Sequence, residues 1–349
     1  MDLFVPVCDQ TGLPLMPTRP ARARRWVRQG KATPFWKQGV WCVRLNQEPS
    51  ARLIQPIAVG IDPGSKKEAL VVKSAAHTYL NLQADAVTWV KDAVKTRRTM
   101  RRARRFRKTP CRQPRANRLL NRKWMPPSTK ARWQWKLRLC QWLVRRYPML
   151  QFMVEDIKAV TKGKQRWDRS FSPLEVGKRW FYHELGTLAP VQTRQGWETK
   201  QLRDTLGLKK STQKLAETFS AHCVDAWVLA HAAVGGPLVP EQTRLLCVTP
   251  LQWHRRQLHR LQPERGGKRK LYGSTRSLGL TRGTVVQHPK YGRAFAGGTL
   301  DGRVSLHHLK TGKRLCQNAK PAKCRVRSIL KWRARLLPVP FTGRVSAAQ

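Results

Sequence analysis

The sequence predicts an α/β chain built in several modules, and three observations carry that expectation. Two apolar, strand-like runs, Ile57-Ala58-Val59-Gly60-Ile61-Asp62 and Leu150-Gln151-Phe152-Met153-Val154-Glu155, each end on a carboxylate. An apolar helix follows late in the chain, from His222 to Val234, and brings a further acid at Asp225. Between the two runs, Arg97 to Lys123 holds 11 Arg and 2 Lys in 27 residues with no acid, so a basic segment splits the α/β pattern.

Taking the elements in order, Leu3 to Val7 reads as a short strand and Gly12 to Pro17 as a turn-rich stretch. Arg22, Arg24, Arg25, Arg28 and Lys31 mark a basic helix. Phe35-Trp36 and Val40 to Val43 read as a second β segment, which makes residues 1–55 a small β-α-β module. The run at 57–62 ends in Asp62-Pro63-Gly64, placing a carboxylate at a strand tip beside a turn. A second strand is expected from Glu68 to Lys73, completing a region at 56–95. Arg97 to Lys108 lacks Gly and Pro and can be helical, although repulsion between neighbouring turns would fray it alone in water; it heads a basic segment at 96–128. In residues 129–238, Trp133, Leu137, Cys140 and Val144 fall at helical spacing within Lys130 to Arg146. Short helices are expected near Pro173 to Leu185 and Ser211 to Phe219. From 239 to 349, glycines punctuate β-prone pieces at Thr284–Gln287, Arg293–Ala296 and Arg303–His307, suggesting a small basic β-barrel.

Composition limits the partners. Of 349 residues, 40% are hydrophobic, enough for a real core. Against 19 Asp plus Glu stand 70 Lys plus Arg, a net charge of +51. Such a surface repels itself unless a polyanion neutralises it. No apolar run approaches the roughly 20 residues of a spanning helix, so nucleic acid is the expected partner and a membrane is not. Met1 to Pro6 carries no secretion signal pattern, so a cytoplasmic protein is expected. The eight cysteines form no CxxC pair, so structural zinc is not expected.

In a chain so poor in acids, an acid that ends an apolar strand or starts an apolar helix asks for a reason. Asp62, Glu155 and Asp225 fit that description, and His222 lies three residues before Asp225, on the same helix face. Hydrolysis of a phosphodiester needs an activated water and a stabilised leaving oxygen, and two divalent ions held by hard oxygen ligands supply both. Singly, Asp62 also reads as a turn residue, Glu155 as a solvated strand end and His222 as a core histidine.

Their order resembles the RNase H-like nucleases. Ile61-Asp62-Pro63-Gly64-Ser65, Val154-Glu155-Asp156 and His222-Cys223-Val224-Asp225-Ala226 resemble the three split motifs of a RuvC nuclease domain. The arginine-rich segment resembles the bridge helix of CRISPR type II effectors and their transposon-encoded relatives. Pro14-Leu15-Met16-Pro17 with Arg22-Ala23-Arg24-Arg25 resembles the PLMP module of the IscB group. Between Glu155 and His222 there is one histidine, His183, and no cysteine. That interval is too short for an HNH domain, so the resemblance is to the HNH-lacking IsrB-like branch. TnpB-type nucleases carry a four-cysteine zinc knuckle that is absent here.

The resemblance implies an RNase H-like RuvC domain split by the bridge helix, with the PLMP module before it and a domain reading a target-adjacent motif after it. It implies an RNA-guided DNA nickase that cuts the displaced strand of double-stranded DNA. The partner is a structured guide RNA, and the protein is a monomer within a ribonucleoprotein. Asp62, Glu155 and Asp225 would bind two Mg²⁺ ions, with Mn²⁺ as a substitute, and His222 would be a ligand or position or deprotonate water. Asp156 is the rival second carboxylate; strand alternation sends it to the opposite face from Glu155. Arg22, Arg24, Arg25, Arg97, Arg98, Arg101, Arg102, Arg104, Arg105 and Arg107 would bind RNA phosphates, setting register without reading sequence. Lys290, Arg293, Arg303, Lys310 and Lys313 would touch DNA, reading a short motif or clamping its backbone. Two other readings compete: a non-catalytic RNA-binding protein, and a stand-alone RuvC-like junction resolvase.

Overall fold

The computed structural model describes residues 3–52, 54–108, 125–156, 172–251, 276–309, 311–329 and 332–337. The chain is mixed α/β and divides into two compact units, one of Met1–Val248 with Ala334–Gln349 and one of Thr249–Arg333.

The first unit opens with β1 (Val5–Cys8), β2 (Pro14–Thr18), α1 (Pro20–Arg28), β3 (Ala32–Lys37) and β4 (Val40–Leu45), paired in the order β2-β1-β4-β3. The stretch expected as turn is therefore largely strand. Its prolines are tolerated because β2 is an edge, where a missing N–H costs no ladder bond. The single second β segment is instead a hairpin, turned at Gln38 and Gly39 with φ of 56° and 89°, the left-handed pair that a tight two-residue turn requires. Val5, Val7, Leu15, Ala23, Ala32 and Val43 form the core of this sheet and helix.

The large sheet is built from β5 (Ile57–Asp62), β6 (Lys67–Ser74), β7 (Thr78–Asp85), β8 (Gln151–Asp156), β9 (Val191–Gln195), β10 (Leu245–Pro250) and, at an edge, β18 (Trp332–Leu336). Its order is β18-β10-β7-β6-β5-β8-β9. β5, β6 and β7 form an antiparallel meander, while β8 runs parallel to β5 and β9 parallel to β8. All six residues of β5 are buried, as expected of a central strand covered on both faces. β7 escapes the sequence pattern because buried Asn81 and Gln83 interrupt its apolar run. Their amides donate to the carbonyls of Gln242 (2.8 Å) and Ala216 (2.9 Å).

The helices of this unit are α2 (Trp89–Lys108), α3 (Pro127–Val144), α4 (Pro173–Gly186), α5 (Gly196–Thr205) and α6 (Val224–Val234). Ser172 caps α4 by accepting a hydrogen bond from the Glu175 amide at 3.1 Å. The helix expected at Ser211–Phe219 is absent. Side chains there bond locally to the backbone, as Ser211 does with the Gln213 amide, and a π-helical turn, Phe219–Cys223, leads into α6 instead.

Gly60 sets how α6 meets the sheet. A β-carbon there would stand 1.8 Å from the Ala226 carbonyl oxygen, so only glycine lets the helix lie this close to β5. Gly60 and Asp62 share a strand face, and the helix they meet carries Asp225. Gly60→Ala is expected to lower unfolding free energy by about 2–3 kcal/mol through this overpacking. Urea denaturation measures it, and an unchanged midpoint would show that α6 is not seated on Gly60.

The last region was expected to begin at 239 as one β-rich domain. β10 instead belongs to the large sheet, where Leu245–Val248 pair with Asn81–Ala84 of β7; its apolar run is that of a buried parallel strand. The second unit contains β11 (Arg276–Ser277), β12 (Leu280–Thr281), β13 (Thr284–His288), β14 (Gly292–Leu300), β15 (Arg303–His308), β16 (Arg314–Ala319) and β17 (Arg325–Ile329). The latter five form an antiparallel sheet in the order β16-β15-β14-β13-β17. Among the described residues β16 and β17 remain separate edges of the sheet, where a small β-barrel was expected. Its core is Val286, Ala294, Ala296, Val304, Leu306, Ala319 and Cys324.

Candidate carboxylate centre

Asp62 ends the central strand β5, Glu155 lies near the end of its parallel neighbour β8, and Asp225 stands in the first turn of α6 above them. Parallel pairing of β5 with β8, in register from Ala58–Gln151 to Ile61–Val154, brings the first two carboxylates to the same sheet end. Asp62 and Asp225 are 5% and 1% exposed. Burial pushes the Glu155 carboxyl up to about 8, assisted by the charges of Asp62 and Asp225 and by a hydrogen bond with Asp62. Like charges packed out of water repel, which favours the protonated form of the Glu155 carboxyl.

Three cationic groups answer this charge. Arg203 of α5 donates Nη1 to Asp225 Oδ1 at 2.5 Å, and Lys210 donates to Asp225 Oδ2. Burial works against the Lys210 ammonium, but the Asp225 bond and the charges of Asp62, Asp225 and Glu155 overcome it and raise its pKa. His222, in the π-helical turn, places Nδ1 3.0 Å from Asp62 Oδ2 and Nε2 2.8 Å from the Lys214 carbonyl. A carbonyl only accepts, so Nε2 carries a hydrogen; donating from Nδ1 as well requires the imidazolium. The Asp62 bond accordingly raises the histidine's pKa, against the opposing effect of burial.

Asp156 faces away from this centre and is already engaged. Tyr182 Oη donates to it at 3.0 Å, Gln195 Nε2 at 3.0 Å, and Lys178 Nζ pairs with it at 2.8 Å. Burial alone would raise its pKa, but these partners lower it.

Sequence reading missed Arg203, Lys210 and a fourth acid, Glu68. Glu68, on β6, is 1% exposed and accepts from Lys136 Nζ of α3 at 2.9 Å. Burial pushes it up to about 7, against the Lys136 charge. Its Oε2 has no hydrogen-bond partner among the described residues. Arg203 and Lys210 lie in a polar stretch where basic residues are everywhere, so nothing in composition marks them.

The donor chemistry, hard carboxylate oxygens at a sheet end, suits Mg²⁺ or Mn²⁺. Among the described residues, no three His, Cys, Asp or Glu side chains form a ready metal cage. Arg203 and Lys210 hold the Asp225 oxygens, so an ion bound by Asp225 would have to displace at least Lys210.

A stability prediction follows for metal-free protein. The Glu155 carboxyl rises from an ordinary 4.5 to about 8 on folding, so its proton favours the folded state. That contribution is complete below about 4.5 and is lost as pH rises through about 8. In EDTA the melting temperature should fall across this window, and Glu155→Gln should flatten the fall. Glu68 adds a slope of the same sign. An unchanged slope in the variant would count against the crowding of Glu155.

Of the basic candidates, Arg97, Arg98, Arg101 and Arg102 are exposed on α2. Met100 and Phe106 of the same helix are 57% and 95% exposed. The side chains of Arg104, Arg105 and Arg107 lie outside the described residues. Arg22, Arg24 and Arg25 are exposed on α1, far along the chain from the carboxylates. In the second unit, Lys290 and Lys313 are exposed at the β13–β14 and β15–β16 turns, which share one end of the sheet, and Arg293 is close to that end. Arg303 begins β15 at the opposite end, and Lys310 lies outside the described residues. No helix among the described residues is long and apolar enough to cross a membrane.

Residues 5–166 match the family model described as RRXRR protein. That segment contains the first sheet, Asp62, α2 and Glu155. Among solved structures, the chain is similar to Thermus thermophilus RuvC in complex with a Holliday junction substrate, at 15% identity and a TM-score of 0.28, covering 52% of this chain and 97% of that one. A second Thermus thermophilus RuvC structure is similar at 15% identity and a TM-score of 0.27, covering 51% and 96%. No curated protein matches.

Proposed function

We propose that this chain is a divalent-metal-dependent DNA nuclease of the RuvC type, directed by a structured RNA to nick one strand of its target. The observation that carries the nuclease reading is the convergence of Asp62, Glu155 and Asp225. A chain with 19 acids against 70 bases crowds three of them at one sheet end until Glu155 is pushed to about 8. A fold gains nothing in stability from such repulsion, so the cluster reads as a functional expense.

Asp62, Glu155 and Asp225 would hold the ions, which when bound supply charge for the scissile phosphate and lower the pKa of water. The protein's own groups prepare the place. Buried strand ends fix two of the carboxylates, α6 fixes the third, and His222 holds Asp62 through a proton at Nδ1. To act as a base, His222 must first give up that proton. Lys210 and Arg203 balance the acids until the ions arrive.

The RNA part of the proposal draws on charge and on α2. A helix with arginines exposed at 97, 98, 101 and 102 and two large apolar residues in solvent has little to hold it except a polyanion. With 70 Lys plus Arg against 19 Asp plus Glu, the RNA would serve as scaffold as well as guide. The motif resemblance to the IsrB-like branch supports the same reading.

The test is to purify the protein with its co-isolated RNA, sequence that RNA, and add supercoiled plasmid carrying the matching target with Mg²⁺. One dominant structured RNA and Mg²⁺-dependent conversion to nicked circles are expected. Heterogeneous RNA with no cleavage would overturn the proposal.

A further inference from the structure

A cleft of about 950 Å³ opens beside α1, lined by Arg19, Arg22, Arg25 and Arg28. It is separate from the carboxylate centre and shares no residue with it. The four arginines are exposed, and among the described residues none of them has an ion pair. α1 carries no acid in its first turn to neutralise them. From 19 to 28 the helix rises roughly 13 Å, enough to meet more than one phosphate of a strand laid along it.

Much of the remaining lining is apolar or aromatic. Phe4 packs against His77, with ring centroids 4.9 Å apart, both half-buried, and is backed edge-on at 5.1 Å by Tyr79, which is buried. Ile54 beside them is 54% exposed. Glu241 lies behind His77, accepting from its Nδ1 at 3.1 Å and from the Thr78 amide at 2.9 Å. This carboxylate fixes the ring and is not among the residues lining the cleft.

Guanidinium groups and rings lining one cleft answer two parts of a nucleotide, its phosphate and its base. A duplex keeps its bases stacked inside and offers nothing to the rings, whereas an unpaired RNA base can swing out and stack there. We propose that this cleft is a binding site for an unstacked nucleotide of the bound RNA, with flanking phosphates along α1. The inference rests on the proposal that the chain carries an RNA, because the strand to be cut belongs at the carboxylates and the resident strand elsewhere.

The experiment is ultraviolet cross-linking of the purified ribonucleoprotein, followed by mass spectrometry of nucleotide-bearing peptides. An adduct on Phe4 or His77 is expected. In the Arg22→Ala/Arg25→Ala variant, whose changes are on exposed side chains, that adduct should fall about fivefold or more relative to adducts on α2. Phe4→Ala should remove the Phe4 adduct and leave α2 adducts in place. RNA cross-linked only at other segments overturns the cleft while leaving the guided-nuclease reading intact. Adducts that form with added oligo(dT) in preference to the resident RNA overturn the assignment to RNA. Absence of any co-purified RNA overturns both.

Discussion

Asp62→Asn should lower Mg²⁺-dependent nicking by about a thousandfold or more, the scale of losing several kcal/mol of charge stabilisation at the reacting phosphate. The same substitution should leave the metal-free protein as stable as before, or more so. The introduced asparagine is nearly isosteric and its amide oxygen still accepts from His222 Nδ1, while the negative charge that helps push Glu155 to about 8 disappears. The Glu155 carboxyl then moves back toward its ordinary range, and part of the cost of ionising it in the folded protein is removed. Activity and stability should therefore move in opposite directions. Nicking of plasmid, melting temperature in EDTA and retention of co-purified RNA together distinguish this from damage to the fold. Unchanged nicking would remove Asp62 from the centre, and loss of activity together with loss of stability would make its role structural.

Much of the centre was legible because the signal there is simple. A run of β-branched and apolar residues that stops on an acid, as in Ile57 to Asp62, is a strand with its carboxylate at the tip. The apolar stretch around Asp225 is a helix whose acid has no solvent to face. Strand alternation put Glu155 and Asp156 on opposite faces, the resemblance to the RuvC motif favoured Glu155, and the structure gives each a different set of partners. The residues that answer the acids were not legible. Arg203 and Lys210 are two cations among 70, and only the path of α5 and the following turns brings them to Asp225. Glu68 reads as the first residue of an ordinary strand, and its burial depends on Lys136, which approaches from a helix 68 residues later. Local pattern shows which side chains an element buries; pairing between distant elements decides which charge they meet. β7 was missed for the related reason that the side-chain nitrogens of Asn81 and Gln83 donate to carbonyls far along the chain, which no local window contains.

Those two unread cations give the second large effect. Asp225 is 1% exposed, and its two oxygens are held by Arg203 and Lys210. Replacing both by Met leaves a buried carboxylate without a countercharge, expected to cost about 3–5 kcal/mol in metal-free protein. Adding Asp225→Asn to the double variant should restore most of that loss, because the charge needing compensation is gone. Mg²⁺ should rescue the double variant more than the parent: an ion at 100 times its dissociation constant stabilises by about 2.7 kcal/mol, and no tethered ammonium competes with it. Lys210→Met alone should bind Mn²⁺ more tightly than the parent in a direct titration, since Lys210 is under the charge of all three carboxylates. If the double variant melts with the parent and binds metal no better, Arg203 and Lys210 are solvated surface groups that do not stand in for the ion. The contrast with Asp62→Asn is then informative in itself: removing an acid relieves the centre, whereas removing the bases exposes what the acids cost without their cations.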